Sequence, residues 1–420
     1  MKILIVSAKD LGGGAARAAY RLHQGLLAQK ASSQMLVQNK QGDDYTVIAP
    51  TSKVGRGIAA LKPALDRLPL ALYPQRDTTI NIYSSQWLPN KIISKIRQIN
   101  PDIINLHWVC GGFMPIEALG QLKKPLVWTL HDMWAFTGGC HYSGKCDRYL
   151  QSCGACPQLG SNHSWDLSRW NWQRKARAWK DLNLTIVTPS KWLANCAQAS
   201  SLFQDFPVKV IGNGIDPQIY QPHPTELARK ILNLPRDKKI ILFGAFDSTQ
   251  DRRKGFFLLR SALQSLQQLE STEEIELVIF GASAPVDPLD FGFKAHYTGK
   301  LNDDVSLSLI YSAADLFVAP SVQDNLPNTV LESMFCGTPC AAFNIGGMPD
   351  LIDHQQNGYL AQAFLPEDLA QGIHWILSDT DRYHQLRIQS RHKAIAQFSL
   401  EQQAQKYLRI CDDLCSNLAL

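Results

Sequence analysis

Two carboxylates eight residues apart, Asp324 and Glu332, stand in the run ADLFVAPSVQDNLPNTVLESMFCGTPCAAFNIGGMPDLI. The apolar residues before Pro320-Ser321 read as a strand, the next few as a loop, and a helix is expected from near Pro327 until Gly337 stops it. Asp324 then lies in the loop and Glu332 inside the helix. Such a pair suits gripping two ends of one polyhydroxyl ligand, because ionised carboxylate oxygens accept from sugar hydroxyls. Backbone N–H groups around Asn325 and Leu326, at the expected helix start, add an anion site. Upstream, FGAFDSTQDRRKGFFLL follows the strand-like KKIILFG and supplies Arg252, Arg253 and Lys254. A cation just past a strand end is placed to neutralise a leaving diphosphate. The plainer alternative is a solvated basic turn.

In the first half, WTLHDMWAFTGG puts His131 at the C-terminal end of an expected strand, with Asp132 after it. Open α/β sheets bind their ligands at that edge. His107, in NLHWV at the end of the preceding strand, reads either as support for His131 or as an acceptor-binding group. Gly12, Gly13 and Gly14 stand between the strand KILIVSA and an Ala-rich helix. Glycines there let backbone N–H groups and the helix dipole approach a phosphate, and they serve equally as a tight connection.

Nine residues after His131, Cys140, Cys146, Cys153 and Cys156 form a C-x5-C-x6-C-x2-C array. Four thiolates so spaced can close tetrahedrally on a structural zinc; buried reduced thiols and disulfides are the alternatives. His141 is a substitute ligand. Because four cysteines would fill the coordination sphere, the metal would order a loop and do no chemistry. Two basic stretches carry aromatic or aliphatic partners. Trp165, Trp170, Trp172 and Trp179 are interleaved with Arg169, Arg174, Lys175, Arg177 and Lys180. VGRGIAALKPALDRLPLALYPQR sets Arg56, Lys62, Arg67 and Arg76 against the single acid Asp66. Both suit sugar stacking or contact with an anionic membrane. The plainer reading is amphipathic helices packed on a sheet, since Pro63 and Pro69 interrupt the second stretch.

The elements that position these groups follow from short Ile- and Val-rich runs alternating with helical patterns, the mark of βαβ units and parallel sheets. Strands are expected at 3–7, 35–38, 103–107, 125–130, 184–188, 239–243, 276–280, 315–319 and 340–343. Glycines and prolines crowd into VKVIGNGIDPQIYQPHP, so an interdomain hinge is expected there, with the boundary near Phe206. That gives an α/β chain of two Rossmann-like domains, 1–205 with the Cys-rich insert and 206–398, followed by a helical stretch, 399–420, expected to pack back on the first. The 420 residues are 45% apolar and 19% charged, which excludes a disordered chain. A net charge of +5 is too small to argue for nucleic acid. The N-terminus lacks a secretory pattern and no apolar run could span a bilayer, so the cytosol is expected.

Over nearly its full length the chain resembles the family 4 retaining glycosyltransferases of the GT-B fold, in which two Rossmann-like domains face each other across a deep cleft. The resemblance rests on Asp324, Glu332, Gly337, Pro339, Gly346 and Gly347, with Lys254-Gly255 upstream and His131 in the first half. It implies a hexosyl transfer from a nucleotide-diphosphate sugar to a saccharide or lipid-linked saccharide, in cell-surface polysaccharide synthesis at the inner face of the membrane. Glu332 would hold the ribose. Asp324 with Asn325 and Leu326 would hold the sugar, Lys254 and Arg253 with Gly13 and Gly14 the diphosphate, and His131 would meet the transferring sugar. The resemblance also implies that no catalytic metal is needed, and the only D-x-D, Asp379 to Asp381, reads as a surface turn. Asp replaces the commoner first Glu, and Ala245 stands where the family has an arginine, so either Arg252 or Arg253 substitutes or that role is lost. A nucleotide-sugar epimerase or hydrolase of the same fold, and a zinc-stabilised carbohydrate-binding protein, are the competing classes.

Overall fold

The computed structural model describes residues 1–77, 82–244, 251–270, 273–283, 290–301 and 303–416. The chain falls into two compact units, Met1–Gly212 with Glu401–Leu420, and Asn213–Leu400. The first holds a sheet of seven parallel strands: β1 (Lys2–Lys9), β2 (Ser32–Asn39), β3 (Val47–Ile48), β4 (Ile103–Leu106), β5 (Leu126–Thr129), β6 (Leu184–Thr188) and β7 (Val208–Val210), in the order β3-β2-β1-β4-β5-β6-β7. Along β1, Ile3 and Ile5 join one apolar cluster with Leu22 and Leu26 of the helix Gly14–Ala28, while Leu4 and Val6 join the cluster on the other face. Burial on both faces is why these strands read as unbroken apolar runs.

The second unit repeats the plan with six parallel strands: β8 (Lys239–Gly244), β9 (Ile275–Phe280), β10 (Lys294–Gly299), β11 (Leu316–Ala319), β12 (Cys340–Phe343) and β13 (Gly358–Ala361), in the order β10-β9-β8-β11-β12-β13. Ile240 and Leu242 enter one core, Ile241 and Phe243 the other. In each sheet the first strand lies between strands reached by connections running in opposite directions, β2 and β4 beside β1, β9 and β11 beside β8. That reversal opens a crevice at the C-terminal strand ends.

The first unit runs to Gly212 and not to 205, because Val208–Val210 pairs in register with Ile186, Val187 and Thr188 as the last strand of its sheet. The helix Leu400–Ser416 returns to this unit: Ala404, Tyr407 and Cys411 pack with Ile3, Ile5, Val127 and Val187, and the Tyr407 hydroxyl lies 2.8 Å from Thr129 Oγ1. The helix Leu167–Trp179 packs as the plainer reading has it, with Trp179 in the core. The helix Lys53–Asp66 touches the sheet at β2 but continues through Pro63 and buries only Ala59 and Asp66.

Candidate functional site

In the second unit the loop after β11 crosses the C-terminal edge of the sheet and brings Asp324 to the turn that follows β8. Asp251 caps that turn by accepting the Arg253 N–H, and the 3₁₀ residues Arg252–Lys254 fan out from it. Lys254 Nζ lies 2.6 Å from Asp324 Oδ2 and Arg253 Nη1 3.4 Å from the same oxygen. Arg253 also pairs with Asp251 at 2.9 Å, whereas Arg252 lies over the Phe257 ring. Of the two arginines, therefore, only Arg253 reaches the carboxylate. Ala245 falls outside the described residues. Burial works against the charge on Asp324, but Lys254 and Arg253 outweigh it and hold the carboxyl below its usual range.

The helix that carries Glu332 spans Asn328–Phe335. It starts after Asn325 and Leu326, which thus belong to the loop, and the Asn325 N–H donates to Asp324 Oδ1 at 3.0 Å. The helix start thus lies past these two residues, at Asn328. Glu332 is 3% exposed, and its Oε2 accepts from the Tyr311 hydroxyl at 3.0 Å. Tyr311 escaped the sequence reading, since nothing in its spacing links it to Glu332.

Two glycines explain how the loops come this close. Gly255 has φ +70°, and a Cβ there would stand 1.8 Å from the Pro320 carbonyl oxygen. Gly346 has φ +52°, and its Cβ would stand 2.0 Å from the Asp324 carbonyl oxygen, to which the Gly347 N–H donates at 3.2 Å. The Lys-Gly and Gly-Gly dipeptides are therefore backbone contacts that set Lys254 and Asp324 in place.

In the first unit, Gly13 takes φ +97° and precedes the helix Gly14–Ala28 at the end of β1, beside the crossover to β4. His107 and His131 follow β4 and β5. His107 Nδ1 lies 2.9 Å from His131 Nε2, with the rings stacked at 5.1 Å. Asp132 accepts from Trp108 Nε1 at 3.1 Å and meets His141 Nδ1 at 2.7 Å, while His141 Nε2 meets Ser84 Oγ at 3.0 Å. Both ring nitrogens of His141 thus have partners, and His141 does not line the cavity of the four cysteines. Burial pushes His131 down to about 4, so its imidazole is neutral near pH 7. Burial pushes against the Asp132 charge as well, yet His141 keeps that carboxyl below the usual range. The Asp132–His141 pair was missed, although an Asp directly after a strand-end His was a signal for it. Asp379, of the D-x-D, caps the helix Thr380–Phe398.

Cys140, Cys146, Cys153 and Cys156 line one cavity of about 20 Å³, together with Tyr83, Thr137, Arg148 and Ser168. All four are free thiols. Burial pushes Cys153 up to about 12, against a hydrogen bond from the Gly138 N–H and the nearby Lys175. Cys153, Gly154 and Ala155 are three consecutive residues at positive φ. Among the described residues no group of three or more His, Cys, Asp or Glu side chains is arranged to hold a metal ion.

Residues 12–219 match the family model described as Glycosyltransferase Family 4, and residues 237–379 that of Glycosyl transferases group 1. The chain spans about half the length of the first curated relatives it matches. It is 24% identical over 363 residues to the putative colanic acid biosynthesis glycosyl transferase WcaC of Escherichia coli, covering 81% of this chain and 83% of that one. Among solved structures, sucrose-phosphate synthase from Thermosynechococcus elongatus superposes with a TM-score of 0.71 at 17% identity, over 99% of this chain and 100% of the other. Anabaena HepE in complex with UDP-glucose superposes with a TM-score of 0.64 at 17% identity, over 98% and 100%. The fold is the GT-B fold.

Proposed function

For a chain that belongs to glycosyltransferase family 4, we propose transfer of a hexosyl group from a nucleotide-diphosphate sugar to a saccharide or lipid-linked saccharide, in cell-surface polysaccharide or glycolipid synthesis. The observation that carries this reading is the grouping of Lys254 and Arg253 with the buried Asp324 at the crossover edge of the second sheet, with the buried Glu332 on the helix that follows. Cations there suit a diphosphate and carboxylates suit sugar hydroxyls. The names of relatives support the acceptor class, and the UDP-glucose bound to HepE supports the donor class.

In the reaction, the bond from the anomeric carbon to the diphosphate oxygen breaks and a bond to the acceptor oxygen forms on the same face. The acceptor proton passes to the departing phosphate oxygen. Lys254 and Arg253 neutralise the charge that grows on that oxygen. Asp324 orients the sugar and Glu332 the ribose, with Tyr311 fixing the Glu332 rotamer. A neutral His131, held by His107, suits a hydrogen bond to the transferring sugar without adding a further positive charge. The N–H groups of Gly13 and Gly14 suit a phosphate.

A thermal-shift panel of nucleotide-diphosphate sugars tests the donor: a true donor at about 100 times its Kd stabilises by about 2.7 kcal/mol. Glu332→Ala should abolish that shift, and an unchanged shift would sink the assignment. Turnover that needs no acceptor would identify a hydrolase or epimerase instead, and proton NMR of the first product reports whether the anomeric configuration is kept.

A structural zinc on Cys140, Cys146, Cys153 and Cys156 belongs to the same proposal. The cavity has room for one water-sized occupant, and the thiols would have to turn into it to complete a shell. Elemental analysis of protein purified without chelator should find about one zinc per chain; none would end the metal reading. The reaction is placed in the cytosol, at the inner face of the membrane.

A further inference from the structure

The helix Lys53–Asp66 turns its apolar side chains outward. Ser52 caps it, accepting the Gly55 N–H, and its inner face is pinned where Asp66 Oδ1 accepts the Gln86 N–H at 2.7 Å. Val54, Ile58, Leu61 and Leu65 follow at intervals of four, three and four, so at 3.6 residues per turn they share an arc of about 60°. All four are exposed, Val54 at 74% and Leu61 at 62%, and Leu68 and Leu72 of the 3₁₀ turn Leu68–Leu72 that follows are exposed as well, the latter at 80%. Isolated exposed leucines need no explanation, but four apolar side chains on one helix face do.

The charge beside the row has one sign. At 100° per residue Lys62 lies about 70° and Lys53 about 110° from the middle of the row, on opposite sides of it, Lys53 exposed and Lys62 half-buried, while the exposed Arg56 and Arg67 lie round the back of the helix; the single acid between residues 51 and 76, Asp66, is 1% exposed and turned inward. We propose that this row is a membrane-docking surface that lies in the headgroup region of an anionic bilayer, with the leucines in the acyl boundary and the basic side chains on lipid phosphates. An apolar ridge flanked only by cations is complementary to such a surface. A second copy fits less well, because a twofold interface would bring the same cations of both copies together. The surface would hold the first unit where a lipid-linked acceptor resides, but docking does not depend on the transfer reaction and is read without turnover.

The test is co-sedimentation of the full chain with phosphatidylcholine vesicles, with and without phosphatidylglycerol, at low and high salt. Binding is expected only to the anionic vesicles and should weaken with salt. It should fall by about fivefold for each basic side chain removed in Lys53→Gln and Lys62→Gln. The triple change Ile58→Ser, Leu61→Ser, Leu65→Ser, all at exposed positions, should abolish it while leaving the circular-dichroism melt unchanged. No sedimentation at low salt, equal binding by the triple variant, or equal binding to neutral vesicles would overturn the proposal. So would a concentration-dependent dimer that the triple variant abolishes, since a second copy would then be the occupant. A loss of donor binding with lipid binding intact would count against the proposed reaction alone.

Discussion

Lys254 Nζ stands 2.6 Å from Asp324 Oδ2, so two groups proposed to serve different ends of the donor are each other's partner. Asp324 is buried and Lys254 partly so, with Arg253 as a second cation at 3.4 Å, and that surplus of positive charge keeps the carboxylate ionised. Lys254→Ala should lower kcat by roughly 10²–10³ through loss of leaving-group stabilisation. It should also cost up to roughly 3 kcal/mol of stability, since Asp324 keeps only the longer Arg253 contact. Steady-state kinetics and urea unfolding read the two effects separately. A variant with normal kcat would remove Lys254 from the reaction.

The Tyr311 hydroxyl donates to the buried Glu332 carboxylate at 3.0 Å and orients it. Tyr311→Phe keeps the ring and removes that donor. Losing one such bond in the interior costs about 1–3 kcal/mol. Binding of a nucleoside diphosphate, followed by calorimetry, should weaken about tenfold if roughly 1.4 kcal/mol of this reaches the ligand. Unaltered affinity together with unaltered stability would show that the bond positions nothing.

Gly346 and Gly57 should respond oppositely to the same substitution. Gly346→Ala puts a Cβ 2.0 Å from the Asp324 carbonyl oxygen at a positive φ, and should cost roughly 2–4 kcal/mol and depress activity. Gly57→Ala, inside the helix Lys53–Asp66 with nothing within 4 Å, should stabilise by about 0.5–1 kcal/mol. Thermal melts of both variants check the contrast.

His23 gives a pH signature. It is fully buried, with Nδ1 2.7 Å from Ser33 Oγ and Nε2 2.7 Å from Thr46 Oγ1. Burial pushes it down to about 4, against a smaller pull from Asp44. The unfolded chain therefore binds the proton first, and stability is lost as pH falls from about 6.5 to about 4, by up to about 3 kcal/mol. His131 adds in the same direction. Asp66, pushed up to about 6 by burial, opposes both across part of that window. The comparison is thus between the native chain and His23→Gln: their stability difference should shift in favour of the variant by about 3 kcal/mol between pH 7 and pH 4. A constant difference would refute it.

By itself the sequence determined the nine interior strands of the two sheets, because a strand buried on both faces must be a short unbroken apolar run. The four strands it missed are β3, β7, β10 and β13, the four sheet edges. With one side unpaired they are free to carry residues such as Lys209, Lys294 and His296, and they lose the pattern. It also singled out Asp324, Glu332, Lys254 and His131, whose types and strand-end positions are local properties. The tertiary structure decided which of these meet. Only folding brings Lys254 to Asp324, Tyr311 to Glu332 and His141 to Asp132: the first pair meets across loops whose close approach depends on Gly255 and Gly346, the second across two packed helices and the third across a turn of the chain. It also decided the outward face of Lys53–Asp66. A helical period reveals an apolar stripe, but which side of the helix meets the protein is set by the far end of a contact, here the backbone N–H of Gln86 held by Asp66.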